Sequence, residues 1–337
     1  MLVKGFQAQE HLSKSGMTSV MIRDAGDLSP GGFDIDATFG SGQCFRWVKV
    51  GESRYKGIAY GRSVIVSCND RKNILIENSD LNDFKEIWFD YLDLSTDYNE
   101  ISRKTSKDDF MRAAIRYAGG ARVLKQEFNE TLFSYILSSQ NNIPRIKGLV
   151  RELCRRHGDK IDAPEGDAGD AFGGYAFPGP DVLAHSFCAH NGNLANDAAG
   201  IAGEGICWAC PSGRSCDERF AGYRCPYIAG TASMLTRGAF VPDFIRLASE
   251  DQDEARKELC VLPGVGEKVA DCVLLYSGIR HDICPIDTWV EKTMKKIYLD
   301  DHASKKDIRR FTRGYFGDLA GYAQLWLFHY ARTGYRD

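Results

Sequence analysis

Apolar and polar residues alternate along the chain between residues 33 and 78. The alternation occurs in short runs that are rich in β-branched and aromatic residues and are separated by turn residues, which is typical of antiparallel strands. The runs predicted as strands are FDIDATF, QCFRWVKV, RYKGIAY, SVIVSC and ILIEN. The sequence therefore predicts an antiparallel sheet that ends near Asn78.

From residue 80 onward, apolar residues recur every three or four positions, as they do on the buried face of a helix. The helices predicted from this spacing cover 129–137, 143–157, 242–247, 253–259, 267–277, 288–298, 305–316 and 322–332. A segment rich in Gly, Ala, Asp and Cys, residues 163–222, interrupts them and has little periodicity. Residues 1–30 also lack sustained periodicity and contain the turn string SPGG, so we expect a loosely attached extension there.

These patterns predict an α+β fold in three parts. The N-terminal extension covers residues 1–30, an antiparallel β domain with some helices covers 31–125, and a helical domain covers 126–337. A cysteine-rich insertion lies inside the helical domain, at about residues 184–220. The length of 337 residues agrees with two or three domains.

Composition and charge exclude some classes of protein. No run of about 18 consecutive apolar residues occurs, and the N-terminus has no apolar stretch of signal-peptide length. We therefore expect no membrane span and an intracellular location, in the cytoplasm or nucleoid, or in the nucleus of a eukaryote. The formal charge is only −3, but six basic residues fall within 145–160 and eight within 292–313. On charge alone, these clusters indicate solvated helix faces or surfaces for a polyanion.

The stretch LPGVGEKVADC, residues 262–272, follows one predicted helix and opens the next. Gly264 and Gly266 suit a tight turn, and the unpaired N–H groups of the new helix can hold a phosphate oxygen. A helix-hairpin-helix of this kind binds the DNA backbone without reading sequence. The alternative is a plain turn between two helices.

Two ionisable residues near this hairpin are candidates for chemistry. Lys268 lies in the first turn of the second helix, and Asp287 ends the triplet Pro-Ile-Asp nineteen residues later. A lysine on a helix is more often solvated, and an aspartate at this position is also a good N-cap for the following helix. A capping role for Asp287 is compatible with a catalytic one.

At this point the chain resembles the 8-oxoguanine DNA glycosylases of the helix-hairpin-helix superfamily. The resemblance covers about residues 33–332 without the cysteine-rich segment, and its ordered motifs are SGQCFRW, SSQNNIPRI, AGYRCPYI, LPGVGEKVADC, PID and GYAQLWLF. It implies an antiparallel, TBP-like sheet domain followed by a helical glycosylase domain. It also implies base-excision repair, in which the enzyme flips 8-oxoguanine out of duplex DNA, removes it and cleaves the strand as an AP lyase.

The resemblance implies roles for residues at the reaction centre. Lys268 would be the nucleophile that forms a Schiff base with the sugar, and Asp287 would stabilise the positive charge that develops there. The extruded base would lie between Cys272 and Phe328, and Gln324 would bind its Watson–Crick edge. The carbonyl oxygen of Gly42 would accept the N7–H group that 8-oxoguanine has and guanine lacks. Taken without the motifs, Cys272 and Phe328 would be core residues and Gly42 a turn glycine.

Further residues are implied to bind DNA. Arg145 and Arg224 would donate to the unpaired cytosine and Tyr223 would wedge into the stack. Gln140 stands where better-known members carry asparagine, and Trp289 stands where some members carry a histidine that contacts phosphate. The implied DNA-binding set is Gln140, Asn141, Arg145, Tyr223, Arg224, Gly264, Gly266 and Trp289. The expected partner is damaged double-stranded DNA, and the chain is expected to act as a monomer.

The chain has eleven cysteines, which are expected to be reduced thiols for the most part. The string from Cys207 through Cys210 to Cys216 has the C-x2-C-x5-C spacing of part of the iron–sulfur loop in endonuclease III and adenine glycosylases. Cys188 is the expected fourth ligand. A structural [4Fe-4S] cluster, a zinc ion that also uses a histidine, and unliganded cysteines are the three alternatives. The implied catalysis requires no cofactor.

Two other functions remain alternatives. The cysteine spacing also favours a glycosylase for oxidised pyrimidines, which the predicted N-terminal sheet, Gly42 and Gln324 oppose. A non-catalytic helix-hairpin-helix protein would keep the hairpin but would not need Lys268 and Asp287 together.

Overall fold

The computed structural model describes residues 2–13, 16–27, 29–162, 174–186 and 219–334. Within these residues, one antiparallel sheet has the strand order β1-β2-β3-β7-β6-β5-β4. The strands are β1 Leu2–Val3, β2 Phe6–Leu12, β3 Thr18–Arg23, β4 Trp47–Gly51, β5 Arg54–Ala59, β6 Arg62–Ser67 and β7 Ile74–Glu77. Four of the five predicted runs thus overlap strands β4 to β7.

The prediction of an N-terminal extension is wrong over residues 2–23, which form β1, β2 and β3. Strand β3 pairs with β7, and Val20 lies opposite Ile76. The side chains of Val20 and Ile22 are completely buried under the sheet. Because only these few positions face the core, the alternation is too short to stand out in the sequence.

The run FDIDATF is also different from its prediction, because it forms helix α1, Ile35–Gly40. Asp34 caps this helix, with Oδ1 accepting a hydrogen bond from the Ala37 N–H at 2.8 Å. Phe33, Ile35 and Phe39 are all buried around this short helix. Their spacing of two and four residues therefore resembles the alternation of a strand. A local cap therefore prevails over the strand-like alternation.

The eight helices predicted from the spacing are all present, with ends that differ by three residues or fewer. Leu81–Asp83 (α2) continues through a π turn, Phe84–Trp88, into Phe89–Tyr91 (α3), and another π turn, Tyr330–Gly334, follows the last helix. The later helices are α4 Tyr98–Thr105, α5 Asp109–Ala118, α6 Phe128–Leu137, α7 Ile143–His157, α8 Pro180–Ser186, α9 Cys225–Thr236, α10 Phe244–Ser249, α11 Gln252–Leu259, α12 Glu267–Tyr276, α13 Thr288–Ile297, α14 Lys305–Phe316 and α15 Ala320–His329.

Two hydrophobic cores hold the fold together. The first lies between the sheet and the aromatic residues of α1 and of the helical segment 81–91. The second is formed by the helices and includes α4 and α5, although both lie in the segment assigned to the predicted β domain. By their packing, α4 and α5 belong with the helical part. The exact domain boundaries stay a prediction.

The loop with the SGQCFRW motif lies where the two cores meet. The side chain of Gln43 is buried, and its Nε2 donates to Thr38 O at 2.9 Å and to Arg122 O at 2.8 Å. Arg46 of the same loop forms a buried ion pair with Glu130 of α6, at 3.1 Å. These bonds fix the loop against the end of α1, the backbone at Arg122 and helix α6. In the part of the chain that the structure describes, no helix is long and apolar enough to cross a membrane.

Candidate active site

The helix-hairpin-helix is formed by α11, a turn and α12. Gly264 has a φ of +78°, and a Cβ on it would come within 2.6 Å of the Tyr227 side chain. Leu262 and Val265 anchor the turn because both are buried. Gly266 is the N-cap of α12 and has no side chain that could take up the first N–H groups of the helix. This end of α12 therefore offers backbone donors to an anion.

A buried carboxylate fixes the position of α12. Asp271 is completely buried and pairs with Arg256 of α11 at 2.6 Å and with Arg309 of α14 at 3.7 Å. Burial raises the pKa of Asp271 to about 6, and the two guanidinium groups counteract that rise. Three helices thus meet at one carboxylate, which sets which face of α12 points to the site.

Lys268 and Cys272 lie on the same face of α12, which packs against α6. The Lys268 amine lies 3.3 Å from Ser138 Oγ and 4.9 Å from the centre of the Tyr135 ring. Cys272 lies one helical turn further along the same face of α12. Burial raises the pKa of Cys272 to about 12, so this side chain is a neutral thiol at physiological pH. The amine therefore faces a half-buried pocket with a neutral sulfur beside it.

Asp287 is the N-cap of α13, as the capping interpretation expects. Its Oδ1 accepts a hydrogen bond from the Val290 N–H at 2.8 Å. Val290, whose N–H Asp287 binds, lines a small cavity together with Gln324 and Phe328, so this cap lies beside predicted base-binding residues. The geometry therefore supplies both a cap and a negative charge at the pocket.

A chain of aromatic contacts links the Gly42 loop to Gln324. The Tyr135 hydroxyl donates to Gln43 O at 3.2 Å, and its ring stacks on Tyr276 with ring centres 5.7 Å apart. The Tyr276 hydroxyl donates to Gln324 Oε1 at 3.5 Å. All of these side chains are buried. The amide of Gln324 is thus oriented by a tyrosine on the helix that carries Lys268.

The other predicted base-binding residues border the same region. Gly42 has a φ of +93°, and a Cβ there would lie 2.8 Å from Ile143 Cδ1. Phe328 is half-buried and, together with Gln324, Cys284 and Leu327, lines a small cavity. A side chain at residue 42 would therefore displace neighbours, and glycine is the residue that this backbone requires.

The predicted DNA-binding side chains divide into exposed and internal ones. Tyr223 is 52% exposed and Trp289 50% exposed, and Arg145 and Gln140 also lie on the surface. Gln140 has a left-handed backbone conformation, with a φ of +50°. Arg145, Gln140 and Trp289 are thus exposed to an approaching duplex, whereas the Tyr223 hydroxyl donates to Ser139 O at 3.3 Å.

Two members of the predicted set face inward instead. Arg224 is 4% exposed, and its Nε donates to Ser139 O at 3.1 Å while Tyr223 covers the guanidinium. Asn141 donates to Leu137 O at 2.8 Å. Both side chains must exchange these bonds before they can reach a base, so their DNA contacts stay a prediction.

The structure adds residues that sequence reasoning missed. Ser138 and Tyr135 contact the Lys268 amine, and Tyr276 orients Gln324. Spacing gave a usable signal for Tyr276, which lies four residues after Cys272 and so shares its helix face. Arg332 also reaches the pocket, and its spacing of four from Phe328 was a similar signal.

The predicted metal ligands Cys188, Cys207, Cys210 and Cys216 lie outside the described residues. Across the described ranges, no three His, Cys, Asp or Glu side chains are arranged to hold a metal ion. Free cysteines in these ranges include Cys44, Cys68, Cys154, Cys260, Cys272 and Cys284.

Comparisons with known proteins agree with this geometry. Residues 27–132 match the family model of the 8-oxoguanine DNA glycosylase N-terminal domain. The structure of an 8-oxoguanine glycosylase/lyase of Clostridium acetobutylicum, bound to double-stranded DNA with cytosine opposite 8-oxoguanine, superposes with a TM-score of 0.77. It is 31% identical, and the match covers 97% of each chain.

Two curated relatives are similar in sequence. An N-glycosylase/DNA lyase, OGG1, of Arabidopsis thaliana is 29% identical over 87% of this chain and 76% of its own. A probable N-glycosylase/DNA lyase of Methanothermobacter thermautotrophicus is 39% identical over 119 residues. That second match spans 35% of this chain and only 36% of the archaeal protein.

Proposed function

Because this chain belongs to the 8-oxoguanine DNA glycosylase family, we propose that it is a bifunctional glycosylase and AP lyase that removes 8-oxoguanine from duplex DNA. The observation that carries the proposal is the pairing of an amine and a carboxylate at one pocket. The Lys268 amine lies over Tyr135, whose ring stacks on Tyr276, and the Tyr276 hydroxyl donates to Gln324. Asp287 binds the N–H of Val290, which lines one cavity with Gln324.

In the proposed reaction, the Lys268 amine attacks C1′ of the flipped nucleotide as the C1′–N9 bond breaks. The base leaves with the bonding electron pair and takes up the proton that the amine nitrogen loses. Asp287 stabilises the positive charge that develops on the sugar. In a site without water, this lowers the free energy of the transition state by about 3 kcal/mol. Opening of the sugar ring gives a Schiff base on Lys268. Loss of a C2′ proton then expels the 3′ phosphate and cleaves the strand.

The surroundings of Lys268 suit a nucleophile. In the described part of the chain the amine forms no ion pair. It contacts Ser138 Oγ and the ring of Tyr135, and Cys272 lies one turn further along the same helix face. The amine can reach a sugar at the pocket mouth without first breaking an ion pair.

The test is borohydride trapping with duplexes that contain 8-oxoguanine, an oxidised pyrimidine or no lesion. We expect a covalent complex with the 8-oxoguanine duplex and little with the others, because Gly42 and Gln324 fit a purine edge. A higher yield with the oxidised pyrimidine would favour the alternative function, a glycosylase for oxidised pyrimidines. Binding without any trapping would favour a non-catalytic DNA-binding protein.

We expect Gln324→Ala to lower excision of 8-oxoguanine relative to oxidised pyrimidines by about ten- to a hundredfold, because a lost buried hydrogen bond costs about 1–3 kcal/mol. Duplex affinity should fall much less, since Gln324 is 5% exposed and faces only the pocket. Single-turnover excision rates and gel-shift titrations measure the two effects. Gln252→Ala, whose amide donates to Asp282 O at 2.7 Å and has no contact with Gln324, Lys268 or Phe328 among the described residues, is the control. Equal losses on all lesions would contradict this assignment.

A structural metal site in the cysteine-rich segment is a further part of the proposal. Its support is the donor set in the sequence, since thiolates at Cys207, Cys210 and Cys216 with Cys188 suit a [4Fe-4S] cluster and also suit zinc. The metal would stabilise a segment with few apolar residues. No step of the proposed reaction passes through it.

Metal analysis of protein purified without oxygen and chelators should find either iron, with visible charge-transfer absorption, or zinc without colour. Cys207→Ser or Cys210→Ser should release the metal and weaken binding to the lesion duplex, because Tyr223 and Arg224 follow the segment directly. Cys260→Ser, at a free cysteine of the described part, is the control. Neither iron nor zinc in the native protein would rule the site out.

The oligomeric state is part of the same proposal. We propose that the protein acts as a monomer on DNA. Light scattering of the free protein and of the duplex complex tests this.

A further inference from the structure

A cationic side chain lies at the base pocket and has no part in the reaction described above. Arg332 belongs to the π turn at the end of α15, four residues after Phe328. Its guanidinium carbon is 5.0 Å from the centre of the Phe328 ring, and Nη2 donates to Gly40 O at 2.8 Å. Nη1 lies 3.3 Å from the position that a Cβ on Gly42 would occupy. Arg332 therefore stands between the two residues expected to hold opposite parts of the base.

Most of the donors of this guanidinium are available. Arginine carries five N–H donors, and among the described residues Arg332 donates one hydrogen bond, to Gly40 O. No carboxylate of the described residues forms an ion pair with it, although it is half-buried. Burial lowers the pKa of this guanidinium, and the Asp287 charge counteracts that fall. A half-buried cation with unused donors is suited to an acceptor that a ligand brings in.

The lesion offers such acceptors at the matching edge. In 8-oxoguanine the N7–H group is flanked by two carbonyl oxygens, O6 and O8. If Gly42 O accepts the N7–H, the two carbonyl oxygens lie on either side of that contact. The Arg332 guanidinium next to Gly42 is then within reach of one of them, and its bond to Gly40 can persist because the planar fork presents N–H groups in several directions.

We propose that Arg332 is a specificity residue, which donates a hydrogen bond to a carbonyl oxygen beside N7–H of the extruded purine. This rests on the proposed function. It gives the pocket a donor next to the Gly42 acceptor, so that the pair matches the donor and acceptor pattern of the oxidised imidazole edge. Guanine presents acceptors at both N7 and O6, and its N7 would meet the carbonyl oxygen of Gly42.

The experiment compares two activities of one enzyme. Base excision from an 8-oxoguanine duplex places a base in the pocket, whereas cleavage at a preformed abasic site uses Lys268 and Asp287 with no base present. Arg332→Met keeps the length of the side chain and its contact with Phe328 but removes every donor. We expect the ratio of excision rate to cleavage rate to fall by about ten- to a hundredfold, and Arg332→Lys to restore part of it.

The matched control is Thr333→Val, on the same turn. Thr333 points away from the pocket, where its hydroxyl contacts Tyr117 at 3.2 Å and His329 O at 2.6 Å. We expect this variant to keep the wild-type ratio. If Arg332 only clamps the turn to Gly40, Arg332→Met would lower both activities and the melting temperature together. If it contacts a DNA phosphate, both activities would fall and the salt dependence of binding would become weaker. Either result would overturn the proposal.

Binding measured in a Lys268→Gln background separates the two carbonyl oxygens. 8-Oxoadenine keeps O8 and N7–H but has an amino group in place of O6. An equal loss of affinity for both lesions on Arg332→Met assigns the contact to O8, and a loss confined to 8-oxoguanine assigns it to O6. An unchanged ratio in an active enzyme overturns the role of Arg332 alone. A wild-type protein that neither excises 8-oxoguanine nor cleaves abasic sites overturns the proposed function, and this role with it.

Discussion

Lys268→Gln is expected to abolish borohydride trapping and to lower 8-oxoguanine excision by roughly 10⁴-fold or more, because an amide cannot form the Schiff base. The variant should still fold, with a loss of about 1 kcal/mol or less, since Lys268 is half-buried. Among the described residues, its amine has one hydrogen bond, to Ser138, and one ring contact, to Tyr135. Single-turnover excision, trapping and duplex affinity measured on one preparation test the three expectations together. Duplex affinity should stay close to that of the wild type.

Lys257→Gln is the matched control for this change. Lys257 lies on α11 of the same hairpin, is exposed, and pairs with Glu254 at 2.6 Å. Removing its charge alters the hairpin surface without reaching the pocket, so it should trap at the wild-type yield. A trapped complex of Lys268→Gln at the wild-type yield would mean that another amine is the nucleophile.

The sequence predicted best the helices in which the spacing of apolar residues repeats over several turns. Helices α7 and α14 begin and end at the predicted residues, because each has a polar N-cap, Asn142 and Ser304, ahead of a long amphipathic stretch. Strand β3 was missed, since its inward-facing pair of Val20 and Ile22 has meaning only once β7 lies beside it. Short strands are specified by partners distant in sequence, which a local pattern cannot show.

The candidate site divides in the same way. The motif predicted Lys268 and Cys272 on one face of α12, and a spacing of four follows from helix geometry alone. The stack of Tyr135 on Tyr276 joins residues 141 positions apart, and the bond from Tyr135 to Gln43 O spans 92. Such contacts depend on how α6, α12 and the SGQCFRW loop pack, so no spacing rule predicts them. The inward positions of Arg224 and Asn141 could not be predicted either, because a motif does not show which internal carbonyl a side chain binds in free protein.

Asp287→Asn is expected to lower 8-oxoguanine excision by about 100- to 1000-fold while the protein keeps its fold. The reason is that Asp287 has two functions that this substitution separates. As N-cap of α13, its Oδ1 accepts from the Val290 N–H at 2.8 Å, and asparagine caps helices about as well as aspartate. As a neighbour of the pocket, it supplies a negative charge to the developing sugar cation, which a neutral amide cannot replace.

Asp243→Asn is the control, because Asp243 caps α10 in the same way, with Oδ1 accepting from the Arg246 N–H at 3.0 Å. The change in melting temperature of Asp243→Asn measures the stability that is lost when asparagine replaces aspartate at a helix cap outside the pocket. If Asp287→Asn matches that cost and loses most of its activity, the charge is what catalysis needs. A large fall in melting temperature at unchanged single-turnover rate would leave Asp287 with the cap alone. The carboxylate for the sugar cation would then have to come from another residue.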